Sequence, residues 1–184
     1  MTNQRREHKE VLDGIIEIEL DMFKRVRTAE PSLCQERPET FKAMRWMTHS
    51  VLSTETLESY LGDLQRAETE GRNLLTEKYA RMQNVIPLLK TNPIIEDIVE
   101  VEVSWMKELS QKYPCTFKGQ PGFEVYLHSE LETYSNETLK LYFGDVSKAE
   151  QKGRNLAEER YTTLFQQIGY GSIAEAEKKA KAKN

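Results

Sequence analysis

Apolar residues stand at positions 11, 12, 15, 16, 18, 20, 22, 23 and 26. Steps of three and four lay such residues along one face of a helix, so a long first helix is predicted over residues 11–27. The pairs IEIE and VEVE could alternate as strands, but the flanking residues carry the helical stripe for four turns. Pro31 and Pro38 interrupt the pattern, and residues 41–52 resume it as a second helix. Ser53 and Thr54, followed by Glu55, supply an N-cap and an acidic first turn for a third helix. It runs to Glu70, where Gly71 stops it, and a fourth covers residues 74–86. In the joint that follows, Asn92 is placed to cap and Pro93 to occupy a first helical turn.

The plan then restarts. Residues 137–161, ETLKLYFGDVSKAEQKGRNLAEERY, match residues 55–79, ETLESYLGDLQRAETEGRNLLTEKY, at 14 of 25 positions. Upstream, IVEVEVSWM at 98–106 echoes IIEIELDMF at 15–23. The shift is 83 residues for the first helix and 82 from the second onward, so one residue was gained or lost in a loop. The pattern predicts an all-α protein of two tandem helical repeats, 11–86 and 94–168, packed pseudo-symmetrically as one domain spanning 1–184. Gly169 and Gly171 end the second repeat, and Ser172 with Glu175 makes a capping box for a short helix over 172–183.

Several charges fall where the wheel expects apolar side chains. Glu17 and Asp21 lie on the wet side of the first helix, whereas Glu19 falls among Ile15, Ile16, Met22 and Phe23, and Glu102 among Ile98, Val99, Trp105 and Met106. Lys78 and Arg160 take equivalent interior places on the fourth helix of each repeat, and Glu68 and Glu150 lie close to the apolar side of the third. Pairing Glu19 with Lys78, and Glu102 with Arg160, is the economical expectation, because an unpaired buried carboxylate costs several kcal/mol. Arg72 and Arg154 are expected on helix-end carbonyls, and Asn73 and Asn155 as caps. If the repeats pack about a twofold, Glu19 and Glu102 converge near its axis in a carboxylate-lined pocket. The copies also differ: the first has Arg45 where the second has Leu127, and the second has His128, Glu130 and Glu132 for Trp46, Thr48 and Ser50. Glu130 shares a helix side with Phe123 and Tyr126, which makes it a further candidate for burial.

Composition narrows the chemistry. The net charge of −4 offers no broad positive field, so nucleic acid is not an expected partner; Lys178, Lys179, Lys181 and Lys183 fit a solvated tail. No run approaches the roughly 20 apolar residues of a membrane span and no apolar leader opens the chain, so a cytoplasmic protein without membrane contact is expected. Cys34 and Cys115 occupy non-equivalent positions, and no cluster of Cys and His suggests a thiol metal site or a disulfide framework. The three histidines form no Glu-x-x-His pair, so the sequence assigns no metal; a carboxylate-rich cation site is an alternative that Lys78 and Arg160 oppose. There is no nucleophile elbow and no Gly-rich phosphate loop, and no cofactor is indicated. The remaining expectation is binding, with acid/base turnover open, of a small polar ligand between the repeats. Its candidate residues are Glu19, Glu102, Lys78, Arg160, Glu130, Glu68, Glu150, Tyr79, Tyr161, Arg45 and His128. The rival reading is a helical interaction module, homo-oligomeric or partner-binding, with purely structural ion pairs and with Trp46, Trp105 or Tyr170 as anchors.

The blocks IEIELDMF, ETLESYL, EGRNLLTEKYARM and SELETYSNETL resemble those of a bacterial family of small helical proteins catalogued only as a domain of unknown function. The resemblance covers nearly the full chain and includes Glu19, Arg72, Asn73, Glu77 and Tyr79. It implies no activity, cofactor or catalytic residue.

Overall fold

The computed structural model describes residues 3–26, 37–119 and 121–182, and Cys34 and Pro31 lie outside them. Helices account for the secondary structure of the described residues, with no strand among them. The first sequence copy contributes α1 (Asn3–Lys24), α2 (Pro38–His49), α3 (Thr54–Thr69) and α4 (Leu74–Met82). The second contributes α5 (Pro93–Lys112), α6 (Phe123–Leu131), α7 (Asn136–Gln151) and α8 (Leu156–Gln167), and α9 (Ile173–Lys181) follows.

The capping residues set most helix starts. Ser53 and Ser135 accept from the backbone N–H groups of Thr56 and Thr138, and Asn73 and Asn155 from those of Thr76 and Glu158. Asn92 and Ser172 do the same for α5 and α9, and Glu175 returns a bond to the Gly171 N–H. Gly71 and Gly153 have φ of 69° and 63°, the left-handed turn that lets Arg72 and Arg154 donate backbone N–H to the carbonyls of Ala67 and Ala149. The Arg72 and Arg154 side chains do not reach helix-end carbonyls as expected; they form forks with Glu77 and Glu159, five residues on. Pro38 begins α2 instead of preceding it, since a first-turn proline sacrifices no helical bond. α4 stops at Met82, four residues early, where Asn84 takes a left-handed φ of 54°.

α1 packs on α2, α3 and α4, and α5 on α6, α7 and α8. The halves meet through α3 on α7, α4 on α6 and α2 on α8, and one apolar cluster draws on both, with Ile15, Leu57 and Leu64 beside Ile98, Leu139 and Leu156. The α3–α7 contact is pinned reciprocally at its ends. Asp145 accepts from the backbone N–H of Ser53 and the hydroxyl of Thr56, at 2.8 and 2.6 Å, while Asp63 accepts from Ser135 N–H and Thr138 Oγ1, at 2.8 and 2.7 Å. Each helix thus presents an aspartate to the other's first turn, where carboxylates are favoured. α9 lies on α8, and its buried Glu177 accepts from the backbone N–H groups of Cys115 and Thr116.

Candidate functional site

Glu19 sits at 0% exposure on the inner face of α1. Its partner is Arg45 of α2, whose Nε and Nη2 donate to its two oxygens at 2.8 and 2.5 Å, and the Tyr60 hydroxyl donates to Oε1 at 2.8 Å. The expected partner, Lys78, turns instead to Glu130 of α6, at 2.8 Å, with its ammonium 3.8 Å from the centre of the Tyr126 ring. Arg45 also reaches Glu130, from Nη2 at 2.6 Å and Nη1 at 3.2 Å, and so bridges the two carboxylates. The Glu19–Lys78 expectation fails because a wheel places both residues inward but cannot rank two inward bases, and the planar fork of arginine fits two carboxylates where an ammonium fits one.

The charges of this cluster balance: Glu19 and Glu130 face Arg45 and Lys78. Burial alone would raise the Glu19 carboxyl, but Arg45 and the adjoining His49 outweigh it and hold it at about 2. Glu130 is likewise opposed by burial and held well below the usual carboxylate range by Arg45 and then Lys78. Glu130 accepts four bonds in all, two from Arg45, one from Lys78 and one from the Tyr134 hydroxyl at 3.1 Å. That fills the capacity of a carboxylate.

A second buried cluster lies in the other half. Arg160 of α8 grips Glu102 with Nη1 and Nη2 at 2.6 and 2.7 Å, as the sequence predicted, and the Tyr142 hydroxyl donates to the same carboxylate at 3.0 Å. Burial would lower the Arg160 pKa, yet Glu102 raises it above the ordinary value. Tyr60 and Tyr142 occupy matching positions of the repeat and do matching work, as do Asn73 and Asn155, which donate to the Met22 and Trp105 carbonyls.

The other candidates divide. Glu68 and Glu150 are exposed, not turned inward, because Ala67 and Ala149 take the buried places after Leu64 and Val146 and the next residue is rotated about 100° outward. His128 is half-buried between Glu96 at 2.8 Å and Glu132 at 3.0 Å. Tyr79 packs beside Phe23. Trp105 is buried in the core and cannot serve as a surface anchor. Among the residues overlooked, His49, Tyr60, Tyr126, Tyr134 and Tyr142 complete the clusters. Identity of Tyr60 and Tyr142 between the copies was the available signal, together with His49 standing one helical turn from Arg45.

Between the clusters, α2, α6 and α8 line most of a cavity of about 410 Å³ that opens to the surface near Met44 and Gly122. Arg45, His49, Glu130 and Tyr134 reach it from one side, Tyr142 and Arg160 from the other. Its remaining wall is largely apolar and includes Met44, Met47, Met82, Met106 and Leu127. Neither Glu19 nor Glu102 lines it, so the expectation that both carboxylates meet in one pocket is corrected: each is capped by its own arginine, and the arginines face the space. Glu19, His49 and Glu130 do bring donor atoms within 4.8 Å of one another, a set that fits a cation. Arg45 occupies that place, bonded to both carboxylates, and a metal ion would have to displace a buried guanidinium.

The arrangement defines a class: a helical protein with two charge-balanced buried clusters flanking a mostly apolar cavity. Residues 9–178 match the family described as "Protein of unknown function (DUF4125)", and the chain belongs to that family. No curated protein and no solved structure matches the chain. No helix among the described residues is long and apolar enough to cross a membrane.

Proposed function

We propose that the protein binds a small amphipathic molecule in the cavity between α2, α6 and α8. One observation carries the reading: buried, charge-balanced side chains from both halves reach the cavity, while flexible methionines form much of its wall. Its volume of about 410 Å³ falls within the roughly 300–1,000 Å³ typical of small-molecule sites. Thioether side chains adapt to ligands of irregular shape. The sequence suggests a polar ligand, and the apolar wall changes that to a ligand with an apolar body and a polar end. A purely structural role for the ion pairs explains their burial but gives no reason for two clusters to open onto one apolar space.

Octan-1-ol is a neutral probe of the cavity. It is expected to raise the melting temperature, because a ligand that binds only the folded state stabilises it by mass action. Ala157→Leu, which adds bulk to the wall, is expected to abolish that rise while keeping the helical circular dichroism. An equal rise in the variant would place the binding elsewhere and contradict the reading.

A further inference from the structure

We infer that the polar end of the ligand is a hydrogen-bond acceptor, a carboxylate in particular, and not an amine. The inference rests on the binding reading above and on the bonds its lining residues leave unmade.

The carboxylate that lines the cavity is engaged. Glu130 accepts four bonds, and the Tyr134 and Tyr142 hydroxyls donate to Glu130 and Glu102. Thr48 donates its hydroxyl to the Met44 carbonyl within its own helix. A protonated amine brought to this wall meets no free carboxylate.

The donors are different. Arg160 grips Glu102 end-on through Nη1 and Nη2, and its Nε–H, buried, has no partner among the described residues. Tyr126 accepts from Arg45 at 3.1 Å and has no acceptor for its own hydroxyl proton among the described residues. Two side chains that line one cavity thus hold an N–H and an O–H group in reserve, the N–H on a buried residue. Buried donors left unmade cost free energy that an acceptor on the ligand recovers.

The test compares hexanoate, octanoate and decanoate with the matching primary amines by calorimetry at neutral pH. The expected result is that the acid of best-fitting length binds about tenfold or more tighter than its amine, a factor for which one charge-assisted hydrogen bond suffices. Non-specific attraction to a chain of net charge −4 would favour the amine, so the preference runs against the bulk charge. Tyr126→Phe keeps the half-buried ring and removes one donor; it is expected to weaken the acid about fivefold and leave any amine binding unchanged. Equal affinities for acid and amine, or a preference for amine, would overturn the acceptor assignment while leaving the cavity as a binding site. Failure of acids, amines and octan-1-ol alike would overturn the binding reading, and the assignment with it.

Discussion

A carboxylate held at 0% exposure, as Glu19 is, persists as an anion only where cations and donors replace the water it has lost. Arg45, Tyr60 and His49 do so here. Glu19→Ala strands Arg45 against Glu130 alone, and Glu102→Ala strands Arg160; each is expected to lower stability by about 3–5 kcal/mol in denaturant unfolding. Unchanged unfolding midpoints in both would contradict the burial of these pairs. The same geometry dictates an acid response. The folded pKa of Glu19 lies at about 2, below its ordinary 4.5, so its stabilisation is fully present above 4.5 and is lost as the pH falls toward 2. A shift of that size corresponds to about 3 kcal/mol. Stability measured across this window should decline for the parent protein and decline less for Glu19→Gln; equal slopes would remove Glu19 as a cause. At this scale the sequence was informative about which of these charges are buried and only half right about whom they meet, since it paired Glu102 with Arg160 but Glu19 with Lys78. The positions of Glu19, Glu102, Lys78 and Arg160 followed from helical phase, but the bridge from Arg45 to Glu130 joins α2 to α6, and no periodicity within one helix encodes it.

The elements were legible wherever a local chemical signal ends them. Ser53, Asn73, Asn92, Ser135, Asn155 and Ser172 all cap, and Gly71 and Gly153 turn the chain with positive φ. Where no such residue stands, the boundary moved. α1 begins at Asn3, eight residues before its apolar stripe, on a polar run held by pairs such as Arg6 with Glu10 at 2.8 Å. α4 ends early because Asn84 accepts a left-handed turn that hydropathy does not register. Glu68 and Glu150 were misplaced by a single helical step, enough to exchange core for solvent near a helix end. The reciprocal contacts of Asp63 and Asp145 show what the repeated YxGD segments hold in place: each fixes the start of the facing helix, a long-range role that a repeat comparison flags without explaining.

At the scale of the whole molecule, the packing of α2 against α8 and of α4 against α6 brings together residues that the sequence sets far apart. The cavity arises there, and nothing in either repeat alone announces it. Both halves carry a buried glutamate, a base and a tyrosine at matching places of the repeated sequence; the differences, Arg45 for Leu127 and Glu130 for Thr48, make one cluster larger than the other. The methionines offer a direct reading of the central claim, that this cavity is a binding site. Met44, Met47, Met82 and Met106 line it, whereas Met22 is buried in the core outside its lining. With methyl-labelled methionine, titration with octan-1-ol followed by NMR should shift the four lining methyl signals together along one saturable curve and leave Met22 in place. Shifts confined to other positions, or none at concentrations that change the melting temperature, would contradict the account.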